Sequence, residues 1–196
     1  MVKMLLAVAV IVLTTSSSFA LPETGYIGLF ADATHDTDPT SGGAGYNVCP
    51  PQYGQFQCWI WCLPSVHGLQ ALEFAISFPP TVVVLATTRN YPDITMEIGS
   101  PDGGISIAFG EGNCRSDWLW THNFTCMSLA AGLPAQIRIV PHPGVQPMPA
   151  YQFASCGPGY PIEPCIILCP LYICYPYPEG PLGIEQTNWG SIKSLF

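Results

Sequence analysis

The chain is 196 residues long, 48% hydrophobic and 9% charged, with a formal net charge of −8. Five Lys and Arg against thirteen Asp and Glu exclude the basic footprint of a nucleic-acid binder and electrostatic docking on anionic lipid. Nineteen Gly and twenty-one Pro in so weakly charged a chain suit an all-β protein of short strands and tight connections.

Lys3 opens the chain, an apolar run follows from Met4 to Leu13, and Ser18-Phe19-Ala20 closes the segment. Ten apolar residues are too few to span a bilayer comfortably. Small residues at Ser18 and Ala20 suit signal peptidase. Residues 1–20 therefore read as a signal peptide cut after Ala20, with a retained N-terminal anchor as the alternative. The remainder is the size of one domain and holds Arg89, Arg115, Arg138 and Lys193 against all thirteen acids, a formal charge of −9. It has no second stretch of membrane-spanning character.

Thr24 to Ala31 reads as a first strand and Asp32 to Gly45 as a polar loop. Phe56 to Leu63 is a second strand, with Cys58, Ile60 and Cys62 on one face and Trp59 and Trp61 on the other. From Leu72 to Phe78 the apolar residues Leu72, Phe74, Ile76 and Phe78 take every second position, the period of a strand with one buried face. Pro79-Pro80 ends it, and the β-branched Thr81 to Ala86 follows. Ile94 to Ile98 is a short strand. The turn Ser100-Pro101-Asp102-Gly103-Gly104 tolerates positive φ and leads into Ile105 to Phe109. Asp117 to Leu129 holds one or two strands, and Gln136 to Val140 alternates again. Pro141 to Pro149 is extended, and Ile166 to Leu168 is a last short strand. Eight to ten strands without a helical period predict one antiparallel sandwich of immunoglobulin or cohesin type over residues 21–174. Residues 175–196 read as a Pro/Gly linker (Tyr175 to Gly183) and a C-terminal tail.

The run Gly68-Leu69-Gln70-Ala71-Leu72-Glu73-Phe74-Ala75-Ile76-Ser77-Phe78-Pro79-Pro80-Thr81-Val82-Val83-Val84 resembles the start of cohesin-like sandwich domains. These carry an apolar strand ending in an aromatic residue, a Pro-containing turn and a Val-rich strand. Gly104 to Phe109 is similar to their next glycine-led strand, and Ser128 to Val140 to a closing pair. The chain is also similar to cysteine-rich exported bacterial proteins of unknown role. The resemblance implies the sandwich fold. The chain departs from typical cohesins in its Cys/Pro-rich C-terminal third. The tail around Trp189-Gly190-Ser191-Ile192-Lys193 resembles endings of some exported bacterial proteins, where it reads as a sorting or docking peptide. The alternative is an end that packs on the sandwich.

Nine cysteines follow the signal segment: Cys49, Cys58, Cys62, Cys114, Cys126, Cys156, Cys165, Cys169 and Cys174. In an exported chain eight of the nine are expected in disulfides. The pairing is open, although Cys114 and Cys126 flank a segment short enough for a local bridge. The ninth is either free or joins chains into an oligomer.

Several groups are candidates for function. Asp32, Asp36 and Asp38 share a loop rich in hard oxygen donors, which suits calcium or a solvated acidic turn. Trp59 and Trp61, with Trp118 and Trp120, form a flat platform for sugar rings or an apolar partner if their strands are neighbours. Otherwise the indoles fill the core. Glu73 and Glu97, both expected to face outward, are the carboxylates that a glycoside hydrolase would need. No His-x-x-x-His, His-Glu-x-x-His or Gly-x-Ser-x-Gly spacing occurs, so zinc and serine-hydrolase chemistry lack their usual frame. Asn123-Phe124-Thr125 is an N-glycosylation sequon. The expected role is a secreted or surface-associated, non-enzymatic module binding a glycan or a protein. A structural subunit of an extracellular assembly and a small carboxylate-dependent hydrolase are the alternatives.

Overall fold

The computed structural model describes residues 23–35, 46–90, 94–100, 102–110, 112–144, 152–168 and 170–174. The signal segment, Asp36, Asp38, Cys169 and the linker and tail lie outside them. Among the described residues every regular element is a strand. The twelve are β1 (Gly25–Phe30), β2 (Asn47–Val48), β3 (Gln55–Leu63), β4 (Ala71–Ser77), β5 (Val82–Arg89), β6 (Ile94–Ser100), β7 (Gly104–Phe109), β8 (Leu119–Ser128), β9 (Ala135–Val140), β10 (Gln152–Ala154), β11 (Ile162–Ile167) and β12 (Leu171–Ile173). The strands from β3 to β9 fall close to where the sequence predicts them, whereas β11 begins four residues before the Ile166–Leu168 strand expected there. The three shortest, β2, β10 and β12, carry too few residues to show a period.

One face of the sandwich is the row β11-β1-β3-β8-β5. The other carries β6, β7, β4, β9, β12 and β2. Strand β10 joins the two by pairing with both β4 and β11. The pairing is antiparallel except where β1 runs parallel to β11 and β2 parallel to β12. The two faces close on one core. Ile27 and Leu29 of β1, Cys58 and Ile60 of β3, and Phe124 and Cys126 of β8 meet Leu72, Phe74 and Ile76 of β4, Ile105 and Ile107 of β7, and Ile137 and Ile139 of β9. The alternation from Leu72 to Ile76 thus reads the core side of β4 correctly. Phe78 stays half-buried and meets Phe124 edge-on, 5.7 Å between ring centroids. Burial of these aliphatic and aromatic side chains is the main stabilising term, about 1.5–3 kcal/mol each.

Two disulfides tie the loops. Cys49–Cys174 spans 125 residues and Cys114–Cys156 spans 42. The local Cys114–Cys126 bridge that the spacing allows is not formed, because β8 turns Cys126 into the core while Cys114 stays in the loop before it. Gly68 lies at φ +78°, and a Cβ there would run into the Sγ of Cys114. Only glycine combines that conformation with that close approach. Cys58, Cys62, Cys126 and Cys165 are thiols, so the described cysteines form two bridges and not the four expected. All four thiols are held protonated. Burial pushes Cys126 and Cys165 up to about 12. Burial, and then the neighbouring Cys126 and Cys165, raise Cys58 and Cys62 respectively well above the usual thiol range.

Candidate functional site

Alternation on β3 and β8 sorts side chains between core and solvent. Cys58, Ile60 and Cys62 point inward, so Gln55, Gln57, Trp59 and Trp61 point outward. Across the ladder Gln57 pairs with Thr125, Trp59 with Asn123 and Trp61 with Trp120. Ile60 opposes His122 while Trp61 opposes Trp120, which leaves Thr121 as an extra residue. This bulge resets the alternation. It brings Trp120 into the outward row although His122 two residues on faces the core.

All four tryptophans of the sequence reading therefore meet on the outer face of β3 and β8. They form two edge-to-face pairs and not a flat platform. Trp59 and Trp120 lie 4.9 Å apart at 82°, both half-buried. Trp61 and Trp118 lie 6.5 Å apart at 70°. The second pair is closed over by His35, which stacks on Trp118 at 4.6 Å and 9° and meets Trp61 edge-on at 4.5 Å. Phe30 of β1 flanks the same imidazole at 6.5 Å. Trp61 is only 9% exposed. Trp59, Trp118 and Trp120 stay half-buried, and of these only Trp118 carries the His35 ring on its face. Spacing alone could not find His35, because its place depends on a loop folding back over β3.

The same loop bears on the calcium expectation. Asp32 Oδ1 accepts hydrogen bonds from the Thr34 N–H at 2.9 Å and the Thr34 hydroxyl at 2.7 Å. This is an Asx turn, which positions His35 in the left-handed region at φ 47°. Asp36 and Asp38 lie outside the described residues. Among the described residues no three His, Cys, Asp or Glu converge on a metal position.

Glu73 and Glu97 are kept apart by the pleat. Glu73 pairs with Ser106, whose hydroxyl donates to it at 3.0 Å, on the outer side of the β4-β7-β6 face. Glu97 pairs with Ile107, a core residue. It therefore faces inward, against the expectation that both carboxylates face out. One Glu97 oxygen holds Arg89 of β5 at 2.8 Å, and the other lies 3.7 Å from His122 Nε2. His122 is 1% exposed, stacked on Phe124 and edge-on to Phe74. Burial, and then the Arg89 charge, pull its pKa down to about 4, so it is neutral at physiological pH. This cluster bridges β5 and β6, where the two faces of the sandwich come to their open edges.

A third polar group lies by the Cys114–Cys156 bridge. His67 Nδ1 meets Glu163 at 2.7 Å, and the buried Ser65 donates to the other carboxylate oxygen at 2.8 Å. Burial works against the Glu163 charge. Hydrogen bonds from Ser65, Ser155 and His67, with the histidine's own charge, nevertheless hold its carboxyl below the usual range. Ser65 is committed to Glu163, and every described cysteine is either bridged or a thiol pushed upward. Asn123 of the sequon is 5% exposed between β3 and β5, with no room for a glycan on the folded sheet.

The architecture is shared with known structures. The chain has the cohesin-like β-sandwich fold. It is similar to the sixth cohesin of scaffoldin B from Acetivibrio cellulolyticus, solved in complex with a mutant Cel5 dockerin, at a TM-score of 0.50 and 9% identity, covering 76% of this chain and 97% of that one. It is similar also to the cohesin of the Coh-OlpC–Doc435 complex from Clostridium thermocellum, at a TM-score of 0.50 and 10% identity, covering 79% of this chain and 94% of that one. No protein-family model and no curated protein matches the sequence. Among the described residues no helix is long and apolar enough to cross a membrane.

Proposed function

We propose that the chain is a secreted, non-enzymatic binding module that presents the outer face of β3 and β8 to a glycan or a protein. The observation that carries this reading is the pair of half-buried indoles, Trp59 and Trp120, on an outward sheet surface. Large aromatic side chains left partly in water are the anchors on which recognition surfaces are built. Two disulfides closing loops of 42 and 125 residues support an oxidising, extracellular setting. The cohesin structures that share the fold were solved holding dockerins, which favours a binding role over catalysis. The separation of Glu73 and Glu97 onto opposite sides of one sheet favours binding over the carboxylate-dependent hydrolase alternative, whose two carboxyl groups must face one substrate.

The test is to probe glycan and protein arrays with the exported chain and with the Trp59→Ala/Trp120→Ala double variant. Ligands that are bound by the wild type and lost by the variant support the reading. Ligands that survive the double substitution refute it.

A further inference from the structure

The outward rows of β3, β8 and β5 share a chemistry that the aromatic pair alone does not convey. Beyond Trp59 and Trp120 the rows carry Gln55, Gln57, Thr125 and Thr88, interspersed with the apolar Val83, Ala86 and Met127, all partly or fully exposed. Gln57 and Thr125 lie side by side, with the Gln57 amide donating to the Thr125 hydroxyl at 3.3 Å and that hydroxyl donating back at 3.4 Å. Bonds this long are readily exchanged for a ligand's. No Asp, Glu, Lys or Arg takes an outward position on these three strands. Arg89, the one charged residue on them, pairs in register with the inward His122 and reaches Glu97. An uncharged sheet surface that mixes indole planes with amide and hydroxyl groups matches a ligand of the same character, one with apolar C–H faces and many hydroxyls but no charge.

We propose that the occupant of this face is a neutral oligosaccharide, lying along β3 and β8. This deepens the binding-module reading and rests on it. Trp59 and Trp120 pack against the sugar rings, and Gln57, Thr125 and Thr88 exchange hydrogen bonds with ring hydroxyls. Successive outward residues on a strand are about 7 Å apart, so the rows of Thr88, Thr125 and Gln55 offer contacts along a short oligosaccharide rather than to one sugar. A charged glycan or an acidic peptide finds no partner charge here and would leave its own unpaired.

The test is affinity electrophoresis of the exported, disulfide-intact protein through gels that contain a neutral polysaccharide (mixed-linkage β-glucan, xyloglucan or galactomannan) or the acidic polygalacturonate. Wild type is compared with Trp59→Ala, Gln57→Ala and, on the opposite face of the sandwich, Ile98→Ala. Near-UV circular dichroism and unreduced intact mass verify that each variant is folded. Retardation by a neutral polysaccharide is expected, weakened about tenfold by Trp59→Ala and about fivefold by Gln57→Ala, and unchanged by Ile98→Ala. Retardation by polygalacturonate alone, or by no polysaccharide, overturns the proposal. In that event array hits on proteins that remain sensitive to Trp59→Ala leave the aromatic face standing as a protein site. Neutral binding that persists in Trp59→Ala and falls in Ile98→Ala overturns both the ligand class and the face.

Discussion

His122 should make the fold acid-sensitive in a defined pH window. Its imidazole is 1% exposed, packed between Phe74 and Phe124, and its pKa is drawn from 6.5 to about 4, first by burial and then by Arg89. An unfolded chain binds this proton near pH 6.5 and the folded chain only near pH 4. Between those values the unfolded state holds more protons, so stability falls as pH falls. Above pH 6.5 and below pH 4 this group contributes no slope. Linkage puts the loss at about 2 kcal/mol by pH 5 and about 3 kcal/mol by pH 4. Glu97 lies 3.7 Å from Nε2, and Arg89 already holds its other oxygen. The assay is urea unfolding of the disulfide-intact protein at pH 7, 6, 5 and 4, followed by tryptophan fluorescence, for wild type and His122→Leu. Carboxylates such as Glu163 also lose stability in acid, so the informative quantity is the difference between the two profiles. The variant should shed the slope between pH 6.5 and 5. Parallel profiles over that range would refute the reasoning.

Two further outcomes are expected. Removing the Cys49–Cys174 bridge with paired alanines should cost about 5 kcal/mol and removing Cys114–Cys156 about 4 kcal/mol, because the longer loop of 125 residues gives the unfolded chain more freedom than the loop of 42. Thermal unfolding of the two variants checks the order, and a reversed order counts against the chain-entropy argument. Cys58, Cys62 and Cys126, buried and held as thiols, should resist maleimide in the native protein and react fully in denaturant. Peptide mapping that finds any of them in a disulfide would restore the fuller bridging expected from their number.

Much of the fold was legible because a β-strand writes itself in a short period. Leu72, Phe74 and Ile76 on β4 identified their buried side without any knowledge of neighbours, since alternate residues on a pleated strand must face opposite ways; on β3 the same period separated Cys58 and Ile60 from Trp59 and Trp61 but left open which side is buried. The likeness of Gly68 to Val84 to cohesin-like domains named the architecture. Strands of two or three residues such as β2 and β12 hold too little pattern to be read. They exist because β9 and the Cys49–Cys174 bridge bring them into register.

The candidate site was half legible. The sequence nominated Trp59, Trp61, Trp118 and Trp120, because indoles two residues apart share one face of a strand, and left open whether that face is a platform or part of the core. It misjudged their arrangement and the direction of Glu97. A bulge at Thr121 cannot be seen in a single strand, since it is a mismatch in length between two. Nor can the outward or inward sense of Glu97 be settled before the partner β7 is known. Composition, alternation and cysteine content, all local or summed along the chain, determined the fold class, the acidic and disulfide-stabilised character and the residues worth watching. Cross-strand register and loop return are relations between distant residues. They alone decided that Cys114 meets Cys156, that His35 seals Trp61, and that Trp59 and Trp120 remain open on an uncharged face.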